Sequence, residues 1–213
     1  FYFIIYFFYL IILPSKILSA ATIGLRSELI DVEVDAISAG LHQFNIVGLP
    51  DAAVKESRDR VGAAIRNSRF KPPHQCGRIT VNLAPADLKK EGPVYDLPMA
   101  LGFLLTTKQI SFDFTNKLFL GELSLDGKIR PVKGVLPMSI LAKERGISEV
   151  YVPRENAPEA SIIHEVSVIP VDDLLSLVAH LMGKEKISPQ PKTDLEKFFT
   201  DEGALPEMSF IRG

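Results

Sequence analysis

Residues 42–57 read HQFNIVGLPDAAVKES, and this stretch decides the fold class because it places a strand, a turn and a helix start in succession. Residues 42–49 have the composition of a short strand, which a Gly-Leu-Pro sequence closes. Asp51 follows where a helix N-cap belongs, since its carboxylate can accept the free N–H groups of the first helical turn. Apolar side chains then recur at helical spacing and predict a helix over residues 52–70, which Pro72 ends.

The segments on either side of this stretch continue the succession of strands and helices. Residues 29–36 alternate apolar and acidic side chains, which is typical of a half-buried strand with one solvated face. Asp126-Gly127 predicts a hairpin with a type I′ turn, because both central residues of that turn need positive φ. Further strands are predicted over residues 78–83, 118–125, 149–152 and 166–169, and further helices over residues 97–107, 134–145 and 172–182. This order predicts an α/β (α+β) domain with a mixed sheet and packed helices, its late strands being parallel.

The two ends of the chain differ in composition from the middle. Residues 1–16 form a tail whose first thirteen residues are all apolar, fewer than the roughly 20 that span a membrane. A signal peptide requires a Lys or Arg before its apolar run, and none precedes this one. We therefore expect the tail to lie outside the fold and expect no membrane partner, with an interfacial anchor as the alternative. The domain proper is predicted over residues 17–182, and residues 183–213 are predicted to be a linker because Lys, Pro, Ser and Asp predominate there.

The overall composition excludes several classes of protein. The formal net charge is -2, so no global excess of charge indicates nucleic acid or an anionic membrane as the partner. The charges are uneven, however, because residues 51–90 carry nine Lys and Arg against four Asp and Glu, whereas residues 154–202 carry five against ten. Cys76 is the only cysteine, which excludes an intrachain disulfide and a zinc knuckle and fits a cytoplasmic location.

The sequence lacks the motifs for ATP hydrolysis and for nucleophilic catalysis. The nearest approach to a P-loop is GELSLDGK at residues 121–128, which has five residues between its glycines and Ile129 where Ser or Thr must meet Mg²⁺. No GxSxG turn occurs, and no two histidines stand at the spacing of a metal-binding pair. The sequence therefore predicts no catalytic residue, no metal ligand and no cofactor in this chain.

Three longer stretches resemble the signatures of a known family. They are NIVGLPDAAVKES at residues 45–57, VNLAPADLKKE at residues 81–91 and GELSLDGKIRPVKGVLP at residues 121–137. They resemble the Mg-chelatase-like AAA+ ATPases, the ComM/YifB family, whose N-terminal domain has a Lon-protease-like, ribosomal S5 domain 2-like fold. The resemblance implies that a AAA+ module with a P-loop follows the linker and binds ATP and Mg²⁺. It also implies a homo-hexameric, ComM-like motor for DNA branch migration in competence or recombination, in which this domain contacts its own AAA+ module and neighbouring subunits.

The positions of the Lon-type Ser–Lys dyad are apolar in this sequence. In that dyad a Lys of lowered pKa takes the proton of the Ser nucleophile. The turn that carries the Ser in Lon is matched here by EGPVYD, residues 91–96, in which Val94 takes the position of the Ser. The segment that carries the Lys is matched by PVKGVLPM, residues 131–138, in which Leu136 takes the position of the Lys. Lys133 stands three residues before that position. The resemblance thus implies a non-catalytic domain in which Val94 and Leu136 lie close together. The alternatives are a Ser–Lys peptidase, for which the nucleophile is missing, and a purely structural oligomerisation module.

Four arginines of the predicted first helix are the candidate nucleic-acid-binding residues: Arg58, Arg60, Arg66 and Arg69. They lie largely off the apolar stripe, so they can contact phosphates, which supply the sequence-independent part of DNA affinity. The alternative is a solvated helix face without a partner. No aromatic residues are interleaved with these charges as on base-stacking surfaces, so the sequence makes DNA a candidate partner through its backbone only.

Overall fold

The computed structural model describes residues 14–24, 26–37 and 42–194. The predictions for residues 1–13 and for the end of the linker, residues 195–213, lie outside the described residues. The elements follow in the order β1 Ser15–Ile23, β2 Arg26–Ile37, β3 Gln43–Val47, α1 Ala52–Asn67, β4 Arg78–Ala84, α2 Asp96–Thr106, β5 Lys117–Phe119, β6 Glu122–Leu123, β7 Ile129–Arg130, α3 Val135–Glu144, β8 Glu149–Pro153, α4 Ala157–Ala160, β9 Ser167–Val171 and α5 Leu174–Leu181. Single 3₁₀ turns lie at Pro73–Gln75, Pro93–Tyr95 and Arg154–Asn156.

Seven of these strands form one mixed sheet in the order β3-β4-β2-β1-β5-β8-β9. The pairs β1–β2 and β2–β4 are antiparallel, whereas β3–β4, β1–β5, β5–β8 and β8–β9 are parallel. Strands β6 and β7 form a separate antiparallel hairpin. The predicted α/β domain, with a mixed sheet and parallel late strands, is confirmed.

Helix α2 lies at the centre of the core. It packs on β1 and β2 on one side and against α1 on the other, and nearly all of its side chains are buried. Residues 97–107 are almost uniformly hydrophobic, which is typical of a helix that is buried on several sides. A polar contact inside this packing joins the helix to β1, because the Ser15 hydroxyl donates to the Gly102 carbonyl at 2.8 Å and accepts from the Thr106 hydroxyl at 2.8 Å.

Helix α1 begins where predicted but ends earlier. Asp51 is its N-cap, and the Asp51 carboxylate accepts the Val54 N–H at 2.8 Å. The helix ends at Asn67 instead of residue 70, because Arg69 adopts a φ of 66°, a left-handed conformation that a right-handed helix cannot include.

The hairpin predicted at Asp126-Gly127 forms, but the predicted turn type is wrong. Within this turn Gly127 alone has positive φ, at 88°. The Gly127 N–H donates to the Ser124 carbonyl at 3.0 Å, so the loop is a three-residue turn that ends in a left-handed glycine. The Asp126 carboxylate accepts from the Ser124 hydroxyl and the Lys128 N–H, which favours this longer loop over a two-residue turn.

Both ends of the described fold extend beyond the predicted domain of residues 17–182. Strand β1 starts at Ser15, because that buried hydroxyl is bonded to α2. After α5 the chain turns back along the domain: the Gln190 N–H donates to the Val168 carbonyl of β9 at 2.8 Å, and the Thr193 N–H donates to the Ser161 carbonyl at 3.2 Å. The first part of the predicted linker, residues 183–193, is therefore attached to the domain, and we call this segment the strap.

Candidate functional site

The four candidate arginines do not share one face of α1. Arg58 and Arg66 are exposed and line one groove, whose other walls include His42, Phe44 and His74. Arg69 is exposed beyond the end of the helix. The structure therefore brings Arg58 and Arg66 together and separates the other two from them.

Arg60 points into the protein. Its guanidinium binds the fully buried Asp96 carboxylate through two hydrogen bonds, from Nε to Oδ2 at 2.7 Å and from Nη2 to Oδ1 at 3.2 Å. The Leu123 N–H donates to the same carboxylate at 3.2 Å. Burial raises the pKa of the Asp96 carboxyl, and the bonds from Arg60 act in the opposite direction. Arg60 thus joins α1 to α2 and β6, and we leave it out of any surface for DNA.

A second groove adds two cations beside Arg58. It runs along β3, the edge strand of the sheet, and is lined by Lys55 and Arg58 from α1 and by Arg78 from the start of β4. The sequence reasoning did not single out Lys55, although its position three residues before Arg58 puts both on one side of a helix. We call Lys55, Arg58, Arg66 and Arg78 the basic face.

Lys90 belongs to the positively charged stretch of sequence but not to the basic face. Its side chain is fully buried, and its ammonium donates to the carbonyls of Pro85 and Leu88. Burial lowers the pKa of Lys90. This lysine fixes the loop before Gly92 and does not present its charge to a ligand.

The two segments that the sequence comparison matched with the Ser- and Lys-bearing segments of Lon, residues 91–96 and 131–138, face each other across a cavity of about 460 Å³. We call it the Val94 cavity, and its lining consists of Ala21, Thr22, Lys89, Glu91, Gly92, Pro93, Val94, Tyr95, Glu122, Pro131, Val132, Lys133 and Met138. Val94 lies in the 3₁₀ turn and is 6% exposed. Its side chain ends in methyl groups, so Val94 cannot act as the nucleophile of a covalent mechanism.

Leu136 is not among the residues that line this cavity. It is half-buried in the first turn of α3, and its N–H donates to the Glu159 carboxylate at 3.0 Å. Lys133 is the residue of this segment that brings a charge to the cavity. The expected closeness of Val94 and Leu136 stays a prediction, and neither side chain can act as an acid or a base.

The wall formed by residues 131–134 is held at two points. The Asn156 amide accepts the Val132 N–H at 2.9 Å and donates to the Val132 carbonyl at 3.0 Å. Gly134 has a φ of 79°, and a Cβ there would lie 2.5 Å from the Thr22 hydroxyl oxygen. Only glycine allows this approach, so the sequence fixes the segment against β1.

Metal centres and membrane spans are two other kinds of site that bear on function. Across residues 14–24, 26–37 and 42–194, no three His, Cys, Asp or Glu side chains converge as metal ligands. Within the same ranges, no helix has the length and hydropathy that crossing a membrane requires.

Comparisons with known proteins show which family this chain resembles. A family model described as subunit ChlI of Mg-chelatase matches residues 32–156. The chain is 42% identical over 170 residues to competence protein ComM of Haemophilus influenzae, which covers 79% of this chain and 33% of that protein. It is 39% identical over 184 residues to the protein YifB of Escherichia coli, which covers 84% of this chain and 35% of that protein. It is also 24% identical over 177 residues to a Lon protease of Mycolicibacterium smegmatis, covering 78% of this chain and 22% of the protease.

The chain spans about a third of the length of the ComM and YifB relatives. The similarity to a Lon protease is consistent with the predicted Lon-protease-like fold. The family model covers more than half of the chain, and the relatives named ComM and YifB cover more than three quarters of it. The chain therefore belongs to the Mg-chelatase-like family whose model is described as subunit ChlI of Mg-chelatase.

Proposed function

We propose that this chain is a non-catalytic domain of a Mg-chelatase-like AAA+ ATPase, and that its basic face contacts the DNA backbone in a ComM-like branch-migration motor. In the parent protein ATP and Mg²⁺ bind in a separate AAA+ module. The domain also serves as a scaffold within a cytoplasmic homo-hexamer, where it contacts its own AAA+ module and neighbouring subunits. The observation that supports the DNA contact is that positively charged side chains from α1 and β4 lie close together beside β3, the edge strand of the described sheet.

The geometry of the basic face suits phosphate contacts. Lys55, Arg58 and Arg66 are separated by three and eight residues, so they recur along one side of α1, and Arg78 extends the row onto the sheet. Asp59 is the single acidic residue that lines either groove. It binds Arg58 at 3.1 Å, but both side chains are more than half exposed, and such pairs exchange readily with solvent and other ions.

The non-catalytic assignment rests on side-chain chemistry. Val94 cannot form an acyl intermediate, and the sequence contains no P-loop to hold nucleotide phosphates. We expect the purified chain to hydrolyse neither ATP nor casein. The alternative of a purely structural oligomerisation module draws on the outer edge of β3, with which no strand of the described residues pairs and which can receive another subunit.

A salt series of DNA-binding measurements tests the proposal. The variant is the triple substitution Lys55→Gln, Arg58→Gln and Arg66→Gln, and fluorescence anisotropy follows its binding to labelled single-stranded, duplex and four-way-junction DNA. We expect weaker binding to every sequence, and on duplex DNA a salt slope shallower by about 0.9 for each phosphate that the variant no longer neutralises.

A control variant carries the same change of charge on other surfaces, as Lys143→Gln, Arg145→Gln and Lys184→Gln. Its affinity and slope should equal those of the unmodified chain. Equal losses in both triple variants, or no loss in the first, would contradict the basic face as the DNA contact. A change in sedimentation of the first variant without a change in DNA affinity would favour the oligomerisation module instead.

A further inference from the structure

The groove that Arg58 and Arg66 line has no large side chain between these two arginines. Gly62 and Ala63 line it there, and Gly62 stands about one helical turn after Arg58 and one turn before Arg66. A Cβ built at Gly62 would meet no atom from outside its own helical backbone within 4 Å, so the space beside this residue is open. We call this space, of about 290 Å³, the Gly62 groove.

Packing within the fold does not require a glycine at position 62. Glycine in the interior of a helix is destabilising relative to alanine, because it loses more conformational freedom on folding. Elsewhere in the chain glycine is required by a close neighbour, as at Gly48, or by a positive φ as well, as at Gly134. Neither reason applies to Gly62, and what this glycine provides is the open space beside α1.

Aromatic rings lie beside this open space. The half-buried ring of Phe44 in β3 lines the groove, and so do the exposed imidazoles of His42 and His74. The Gly77 N–H donates to Nδ1 of His42 at 3.3 Å, which orients that ring. These rings belong to other segments than the arginines, so only the fold brings them together. Aromatic and imidazole rings are the surfaces on which unpaired bases stack.

Positive charges flank the rings at both ends of the groove. Arg58 and Arg66 are exposed, and eight residues of helix place them about 12 Å apart along the axis of α1. A DNA strand that runs along α1 can contact Arg58 with one phosphate and Arg66 with a later one. The nucleotide between these phosphates lies beside Gly62, where its base can turn toward Phe44. A duplex cannot place a base there without breaking a base pair.

We propose that the Gly62 groove binds one unpaired base of single-stranded DNA, which stacks on Phe44 and lies against Gly62. This inference rests on the proposed DNA contact of the basic face and adds a specificity to it. Arg58 and Arg66 contact the backbone of any DNA, whereas Phe44 and Gly62 stabilise only a base that is free of its partner. A single strand with bases therefore binds more tightly than the same backbone without them.

The test compares two labelled single strands of equal length and charge. One is an oligothymidylate of about twelve nucleotides, within the range of single-strand sites, and the other is its abasic counterpart. Thymidylate is used because its bases stack weakly on one another. Fluorescence anisotropy with the whole chain should show about tenfold tighter binding of the oligothymidylate, as for one stacked base. Equal affinity for the two strands would overturn the proposal.

Two substitutions identify the groove. Gly62→Leu fills the open space with a good helix former, so it should abolish the preference for the oligothymidylate without lowering the melting temperature. Phe44→Leu keeps an apolar side chain but removes the ring, and should also abolish the preference. In both variants binding of the abasic strand and of duplex DNA should stay unchanged.

Matched controls separate these effects from changes in the fold. Gly62→Ala adds only one methyl group to the open space and should retain the preference, and Phe114→Leu removes an exposed ring that does not line the groove and should retain it too. A preference that survives both Gly62→Leu and Phe44→Leu would overturn the assignment of the groove.

A fluorescent variant detects the stacked base directly. The chain contains no tryptophan, so Phe44→Trp introduces a single indole into the groove and retains an aromatic ring. Stacking of a base should quench the indole fluorescence when the oligothymidylate is added, whereas the abasic strand and the duplex should leave it unchanged. Equal quenching by all three would contradict the base contact.

Failure of this inference is distinguishable from failure of the proposed function. The triple variant Lys55→Gln, Arg58→Gln and Arg66→Gln should weaken binding of the oligothymidylate, the abasic strand and the duplex alike. If it does so while the unmodified chain binds both single strands equally, the basic face contacts DNA but the groove holds no base. If the triple variant weakens none of them, the proposed DNA contact fails and this inference fails with it.

Discussion

Arg58 and Arg60 are two residues apart in one helix and have different roles. A helix turns about 100° per residue, so their side chains leave α1 about 200° apart. Arg58 binds its neighbour Asp59 in solvent, whereas Arg60 binds Asp96 in the interior. Helical spacing alone separates the two arginines, but the partner of Arg60 is 36 residues away in sequence and becomes visible only in the fold.

Removing the guanidinium of Arg60 should be costly. The substitution Arg60→Ala would leave the Asp96 carboxylate buried without its counterion, and breaking such a pair typically costs about 3–5 kcal/mol. Urea unfolding followed by circular dichroism measures the loss. Arg58→Ala is the matched control and should change the free energy of unfolding by no more than about 0.5 kcal/mol, because Arg58 is exposed. Equal effects of the two substitutions would show that the Arg60–Asp96 pair does not join α1 to the core.

At the scale of the element, the turn between β3 and α1 connects the basic face to the Val94 cavity. The Asp51 carboxylate caps α1 through one oxygen and accepts the Gly92 N–H at 3.2 Å through the other. Gly48 in the same turn has a φ of 97°, and a Cβ there would lie 2.2 Å from the Leu83 carbonyl oxygen. The sequence predicted the cap, since that is a local contact. It did not predict the bond to Gly92, which depends on how two distant loops meet.

The cap at Asp51 should contribute measurably to stability. Asp51→Ala removes an acceptor for two N–H groups and should lower the free energy of unfolding by about 1 kcal/mol or somewhat more, as for other N-caps. Asp51→Asn should retain most of the stability, because the Asn side chain is an equally good cap. Thermal and urea unfolding compare the two variants with Asp59→Ala, an exposed change on the same helix. A loss with Asn as large as the loss with Ala would mean that the negative charge matters and the cap does not.

At the scale of the whole molecule, the pattern of the sequence predicted the mixed sheet and the kind of most elements, but it did not predict β1, and the strand predicted over residues 118–125 is divided between β5 and β6. Apolar and polar residues alternate along β2 because one face of this strand is buried. Nearly all residues of α2 are apolar because this helix is buried on all sides. The order of the strands, and hence the open edge at β3, depends on contacts between distant residues that no local pattern records. The strap escaped prediction for a related reason. It is held partly by backbone hydrogen bonds, which any polar sequence can form, and partly by the bond from the Ile187 N–H to the His180 side chain.

The strap gives the far end of the sheet a dependence on pH. The Ile187 N–H donates to Nδ1 of His180 in α5 at 2.9 Å, so this bond requires Nδ1 to be unprotonated. Burial lowers the pKa of His180, and nearby Lys186 and Lys117 act in the same direction, while Glu149 and the backbone bond to Glu185 oppose them. Because the folded pKa lies below the unfolded value of 6.5, the stabilisation from His180 is complete above that pH. It decreases as the pH falls from there through the folded pKa.

We therefore expect the strap to open first as the solution is acidified. Hydrogen exchange from pH 8 to pH 5, expressed as protection factors to remove the intrinsic effect of pH, should show falling protection of the Ile187 amide. The Met182 amide, which donates to the Val178 carbonyl at 3.0 Å within the end of α5, is the internal control and should stay protected. In His180→Gln the acceptor no longer titrates, so protection of Ile187 should become independent of pH over this range. Constant protection of Ile187 in the unmodified chain would show that His180 does not hold the strap, and parallel loss at Met182 would indicate that all of α5 opens instead.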